Sequence, residues 1–165
     1  MTEMAVRLFV PGAPVPKGRP RAFRMQRGRI GHYTPRKTRD WETETRRIAR
    51  QAMQSRLPME GPVRLEVMAV FPAPGSWPRW KRALVEDQHI FPTGRSDVDN
   101  VVKALSDALN GVVWLDDGQV VDLVARKRYG SETVPPGVYA AVIPLPGRYG
   151  SQLTQRPPFD KEIRR

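Results

Sequence analysis

Between Ser96 and Gln119 the chain reads SDVDNVVKALSDALNGVVWLDDGQ, and the spacing of its apolar residues leaves little choice of local structure. Val98, Val101, Val102, Leu105, Ala108 and Leu109 recur with helical period in one stripe, which predicts an amphipathic helix with a buried face. Turning through about 100° per residue puts Asp99, Lys103, Asp107 and Asn110 on the opposite side. Asn110-Gly111 ends the helix, because glycine accepts the left-handed backbone that follows a helical C-terminus. Two acidic pairs flank it, Asp97 with Asp99 where it begins and Asp116 with Asp117 just after it ends. A chain that returns Asp117 toward the end it came from would gather carboxylates as an oxygen-bound divalent cation requires.

Each pair also has a plain structural reading. Ser96 followed three residues later by Asp99 fits a loose capping box, and acids in a first turn favour the helix dipole. Asp116-Asp117-Gly118 fits a turn ahead of a strand.

Elsewhere short strands and helices mix without strict alternation. Residues 5–10, 63–71, 119–129 and 138–145 read as strands. A helix opens at Thr34-Pro35 or at Thr38 and runs to about Arg56, with Trp41, Thr45, Ile48, Ala49, Ala52 and Met53 on its inner face. Another begins near Ser76 and Pro78. Together these predict an α/β (α+β) fold, a small mixed sheet with helices packed mainly on one face, in a single domain over residues 1–147. Residues 148–165 have too few apolar side chains for a core position and read as a flexible basic tail.

The net charge of +11 calls for a polyanionic partner. From residue 17 to residue 39 the chain carries Lys17, Arg19, Arg21, Arg24, Arg27, Arg29, Arg36, Lys37 and Arg39 without one acid. Its prolines and glycines predict a long loop or a pair of loose arms rather than a regular element, suited to gripping phosphates. Phe23 and Tyr33 lie within it as candidates to stack on unpaired bases. No apolar run is long enough to span a bilayer, and no amphipathic helix has a bulky apolar face with a basic rim, so nucleic acid rather than membrane is the expected partner. The absence of cysteine excludes disulfides, thiol catalysis and thiolate zinc sites, and His32 and His89 alone argue against a histidine-rich metal site or a Ser-His-Asp hydrolase. A cytoplasmic protein is expected.

Rival acidic motifs fit poorly. Asp97-Val98-Asp99-Asn100-Val101 matches a DxDx[TV] phosphatase pattern, but Phe91-Pro92-Thr93-Gly94-Arg95-Ser96 cannot be the buried strand that pattern follows. A DxD sugar-nucleotide transferase would need a doubly wound alternation, and an EF-hand needs a loop glycine at another spacing.

The same stretch resembles the RusA-type Holliday junction resolvases, or crossover junction endodeoxyribonucleases. The likeness rests on Asp97-Val98-Asp99-Asn100-Val101-Val102-Lys103-Ala104, Asp107-Ala108-Leu109-Asn110-Gly111, Val113-Trp114-Leu115-Asp116-Asp117, Gln119-Val120-Val121 and Lys127-Arg128-Tyr129-Gly130. Upstream, Pro14-Val15-Pro16-Lys17-Gly18-Arg19-Pro20-Arg21 and Tyr33-Thr34-Pro35 look like the basic segment of phage and prophage members. The resemblance implies that Asp97, Asp99 and Asp117 coordinate Mg²⁺, with Mn²⁺ able to substitute. It implies Asp116 as a supporting carboxylate or alternate ligand, Asn100 as a supporting residue and Lys103 as the basic neighbour of the reacting phosphate. Lys103 has another reading, an i,i+4 ion pair with Asp99 worth about 0.3–0.5 kcal/mol. The implied substrate is branched DNA in the form of a four-way junction, the implied assembly a homodimer, and the DNA contacts Lys17, Arg19, Arg21, Arg24, Arg27, Arg29, Arg36 and Lys37. Two alternatives stay open: a non-catalytic nucleic-acid-binding module, and a related metal nuclease acting on forks, flaps or RNA.

Overall fold

The computed structural model describes residues 5–19, 21–24, 30–87, 89–94 and 96–146. In chain order these form β1 (Val6–Pro11), β2 (Arg21–Arg24), β3 (Ile30–Tyr33), α1 (Arg36–Met53), β4 (Val63–Phe71), α2 (Arg79–Glu86), α3 (Val98–Leu109), β5 (Val120–Tyr129) and β6 (Gly137–Pro144). The main sheet runs β1-β6-β4-β5, antiparallel between β1 and β6 and between β6 and β4, parallel between β4 and β5. It is the small mixed sheet that the residue pattern predicts.

Alternation decides which side of the sheet is buried. Val6, Leu8 and Val10 of β1 and Leu65, Val67 and Ala69 of β4 all point to the face that carries α1 and α3. α1 offers Thr38, Trp41, Thr45, Ala49 and Met53 to this core. α3 offers Val101, Val102, Ala104, Leu105, Ala108 and Leu109, so the stripe read from the sequence is the packed one. Leu105 and Leu109 are fully buried, and truncating either to alanine is expected to cost about 2–5 kcal/mol.

One expectation is corrected. The basic segment 17–39 is not wholly a loop, because β2 and β3 pair antiparallel within it, from Arg21 opposite Tyr33 to Arg24 opposite Ile30. Pro35 falls outside the strands, where it removes no ladder hydrogen bond. Gly31 lies inside β3 opposite Phe23, where its lack of a side chain leaves room for a ring. Arg27, Arg29 and the expected tail 148–165 lie outside the described residues, as do the side chains of Arg21 and Arg24.

Candidate active site

α3 begins at Asp97 in extended backbone (φ −62°, ψ 139°), and no side chain caps the helix. The capping reading of Ser96 and Asp99 therefore fails. Asp97 and Asp99 are both exposed, and neither carboxylate has a hydrogen bond or ion pair among the described residues. Lys103 is exposed too and pairs with neither Asp99 nor Asp107, so the i,i+4 ion pair is not formed. Asn100 is half-buried, and its carbonyl accepts the Lys17 N–H at 2.8 Å.

At the other end of α3 a tightly tied turn carries the second pair. Gly111 takes the left-handed conformation (φ 69°) that lets the chain reverse. Trp114 is fully buried beneath it, its indole N–H donating to Asn110 Oδ1 at 2.7 Å. Asp116 Oδ1 accepts the Gly118 N–H at 2.8 Å, and the Leu115 and Asp116 N–H groups donate to Gln119 Oε1 at 2.8 and 3.0 Å. This is a capping box, with Gln119 also donating to the carbonyls of Met59 and Gly61 at 3.0 and 2.7 Å. Asp116 is thus a structural group, half as the turn reading expects. Asp117 projects from the same turn, exposed and without a partner among the described residues. The sequence reading passed over Gln119 as a positioning residue, although Asp116-Asp117-Gly118-Gln119 has the spacing of a capping box.

The two pairs do not meet within one chain. α3 has 12 residues and spans about 18 Å, whereas a strand rises roughly 3.3 Å per residue. About five to six strand residues therefore match the whole helix, and the β5 residue that reaches back to the α3 start is Lys127, whose long side chain places Nζ 3.3 Å from the Ser96 carbonyl. Asp117, ahead of β5, stays at the far end, on the order of 15 Å from Asp99. Among the described residues no three His, Asp or Glu side chains gather closely enough to hold an ion. The return of Asp117 expected from the sequence is corrected accordingly. Lys127 is a cation beside the first acidic pair that the sequence reading did not include among the site residues, and the period of β5 is the signal, since 123, 125, 127 and 129 share the helix-bearing face.

The basic segment divides in two. Lys17, expected to grip phosphate, is engaged inside the fold: its Nζ lies 2.5 Å from Asp107 Oδ2 and 2.7 Å from Glu42 Oε1, and its side chain is only 21% exposed. Burial alone would lower its pKa, but the hydrogen bonds to Asp107 and Glu42 outweigh that and hold it above the ordinary lysine value. Arg19, Arg36 and Lys37 are exposed, Arg36 with a loose pair to Asp40 at 3.4 Å. α1 begins with Arg36, Lys37 and Arg39 and has no acid in its first turn, an arrangement the helix dipole disfavours unless an anion is close.

A family model described as Endodeoxyribonuclease RusA matches residues 11–142. The chain is similar to a curated Bacillus subtilis (strain 168) protein named Uncharacterized protein YqaN, 34% identical over 129 residues that cover 77% of this chain and 89% of that one. The match begins at the end of β1 and closes within β6, so it takes in both acidic pairs and the basic hairpin.

Proposed function

The chain belongs to the endodeoxyribonuclease RusA family, and on that premise we propose that it is a Mg²⁺-dependent, structure-selective endonuclease that resolves Holliday junctions by paired symmetric cuts in DNA recombination and repair. The observation that carries this reading is that Asp97, Asp99 and Asp117 are exposed and unpaired among the described residues of a chain with net charge +11. A strongly cationic protein that leaves three carboxylates unpaired among its described residues is suited to a cation that arrives with the substrate.

The donor set suits a hard divalent ion: oxygen only, with Asp97 and Asp99 two residues apart at one helix start. The third carboxylate fits only if a second copy supplies it. A two-fold axis across the middle of α3 exchanges the two ends of the helix, bringing the partner's Asp117 to Asp97 and Asp99. β5 is the free edge of the sheet beside α3, and Leu115, Val121 and Leu123 are exposed there, an apolar strip that supports self-association on this side. Such a homodimer carries two equivalent sites, which is what two symmetric cuts across a four-way junction require.

When bound, Mg²⁺ supplies charge neutralisation at the phosphate and an acidified water, and Mn²⁺ can take the same role. Asp97, Asp99 and the partner's Asp117 would hold it. Lys103, one turn beyond Asp99 and unpaired among the described residues, neutralises charge growing on the phosphoryl oxygens or the departing 3′ oxygen. Asn100 supports the site by anchoring the basic segment through its carbonyl, and Asp116 supports it by holding the turn that presents Asp117. Arg19, Arg21, Arg24, Arg27, Arg29, Arg36 and Lys37 grip the backbone of the arms, acting on cytoplasmic DNA.

Cleavage of a synthetic four-way junction, a fork, a flap, an RNA duplex and a linear DNA duplex, each with Mg²⁺ or EDTA, tests the reading. Symmetric Mg²⁺-dependent nicks across the junction are expected. Equal or better cutting of forks, flaps or RNA would reassign the substrate, and binding without any nicking would leave only a binding module.

A further inference from the structure

The hairpin of β2 and β3 has no role in the core. Among the described residues its strands pair with each other and not with the main sheet, and an isolated two-stranded hairpin is marginal in water. It nevertheless exposes apolar side chains: Phe23 is 45% exposed, Tyr33 46% and Ile30 66%. Phe23 and Tyr33 touch edge to face, ring centroids 6.0 Å apart, and the position opposite Phe23 is Gly31. Both rings are about half exposed and meet at 62°, an aromatic corner that the core does not cover.

The root of this hairpin is fixed beside the acidic pair. The Lys17 N–H donates to the Asn100 carbonyl at 2.8 Å, one residue from Asp99, and the Gly18 N–H donates to Thr38 Oγ1 at 3.3 Å. Pro35 closes on Gly18 so tightly that a Cβ there would lie 2.8 Å from the proline Cγ. The Lys17 side chain ties the same root to α1 and α3 through Glu42 and Asp107. Tyr33 stands two residues before Pro35, and Phe23 six residues after Lys17, so chain reach holds both rings within about 30 Å of the Asp99 backbone. Exposed arginine and lysine at Arg19, Arg36 and Lys37 surround the root.

We infer that this hairpin is a stacking wedge: Phe23 and Tyr33 take the faces of bases unstacked at the branch point of the DNA, and so set which phosphates reach Asp97 and Asp99. Aromatic faces bind any unpaired base and find nothing in a continuous duplex, so the wedge confers a preference for branched over linear DNA. The cations around the root hold the strands that lead into the branch. The inference rests on the resolvase reading for its substrate and extends it to residues that make specificity rather than cleavage.

The test uses the full chain and a four-way junction carrying 2-aminopurine at the nucleotides flanking the branch point. In EDTA, wild-type binding is expected to raise 2-aminopurine fluorescence as those bases unstack. Phe23→Leu/Tyr33→Leu keeps apolar bulk without flat rings, so a folded variant is retained, with Phe23→Ala/Tyr33→Ala as the more drastic form. Both are expected to lose the fluorescence rise and to cut the junction roughly 10- to 100-fold more slowly in Mg²⁺. A junction built with unpaired bases already at its centre should restore the leucine variant to within a few-fold of wild type. A leucine variant with the full rise and full rate would overturn the wedge, as would a variant slow on both junctions or one whose sedimentation shows a changed oligomeric state. A wild-type protein that gives the rise but never nicks would overturn the resolvase reading and leave the wedge standing. Cutting without any rise does the reverse.

Discussion

At the start of α3, Asp97 and Asp99 stand exposed with no hydrogen bond or ion pair among the described residues, whereas past its end Asp116 closes a capping box and Lys17 draws Asp107 into a three-membered ion cluster. These carboxylates and Asp117, five in all, belong to one stretch of sequence and look alike as letters. What separates them is whether the fold itself answers their charge. Asp107 and Asp116 are answered, one by an ammonium and one by a backbone N–H. Asp97, Asp99 and Asp117 are not, and unanswered charge on a folded surface is where a ligand has the most to gain.

The sharpest break of this contrast comes from removing the unanswered charges. Asp97→Asn and Asp117→Asn are each expected to reduce junction cleavage by about 10³-fold or more, because transition-state charge then lacks its counter-ion. Neither should lower the melting temperature, since no contact of the fold is lost. The shared-site geometry adds a stricter outcome. Mixed and refolded together, the two dead variants form heterodimers in which one site has Asp97 and Asp99 from one chain and an intact Asp117 from the other. Nicking of a single strand per junction should return in the mixture. A mixture as inactive as its parts would show that each site draws on a single chain.

Lys103→Ala comes next in size. An exposed lysine without an ion pair contributes little to stability, so any loss must lie in the reaction. The expected result is a fall of about 100-fold in the single-turnover rate with junction affinity within a few-fold of wild type. A loss seen only in affinity would make Lys103 a phosphate grip like Arg19.

Lys17→Ala should show the opposite pattern, cutting stability more than chemistry. It leaves Glu42 and Asp107 facing each other without their shared cation, a loss of about 1–3 kcal/mol that a denaturant titration would read. The folded-state pKa of Lys17 is raised, so its contribution is fully present below the unfolded value near 10.5 and disappears as pH climbs through the higher folded value. Wild type should therefore lose stability above about pH 10.5 more steeply than the variant does. The salt dependence of DNA binding should barely change for Lys17→Ala, while Arg19→Gln should flatten the slope by about 1.

Much of this was legible in the residues. Helix α3, strand β4 and the terminating Gly111 follow from periodicity and one left-handed position, because packing and backbone sterics there have a single solution. The hairpin of β2 and β3 was hidden by the prolines and glycines of this segment and by strands of four residues each, too short to show alternation. Lys17 was misread because charge counting sees a cation but not Glu42 and Asp107, which arrive from elements 25 and 90 positions away. The separation of Asp117 from Asp99 depended on the different rise of helix and strand, a quantity that sequence spacing conceals.

The smallest effect expected concerns Asp116, and it tests the contrast from the answered side. Its carboxylate holds the Gly118 N–H at 2.8 Å and leaves the Gln119 amide oriented toward Met59 and Gly61. Asp116→Ala removes that cap and should destabilise the protein by about 1 kcal/mol, with Asp116→Asn nearly harmless because an amide oxygen also accepts. Cleavage should fall a few-fold in Asp116→Ala, as the turn presenting Asp117 loosens, and should recover in Asp116→Asn. If Asp116 were instead a ligand, Asp116→Asn would abolish cutting while leaving stability intact. The asparagine variant therefore separates a carboxylate that the fold needs for its shape from one that the reaction needs for its charge.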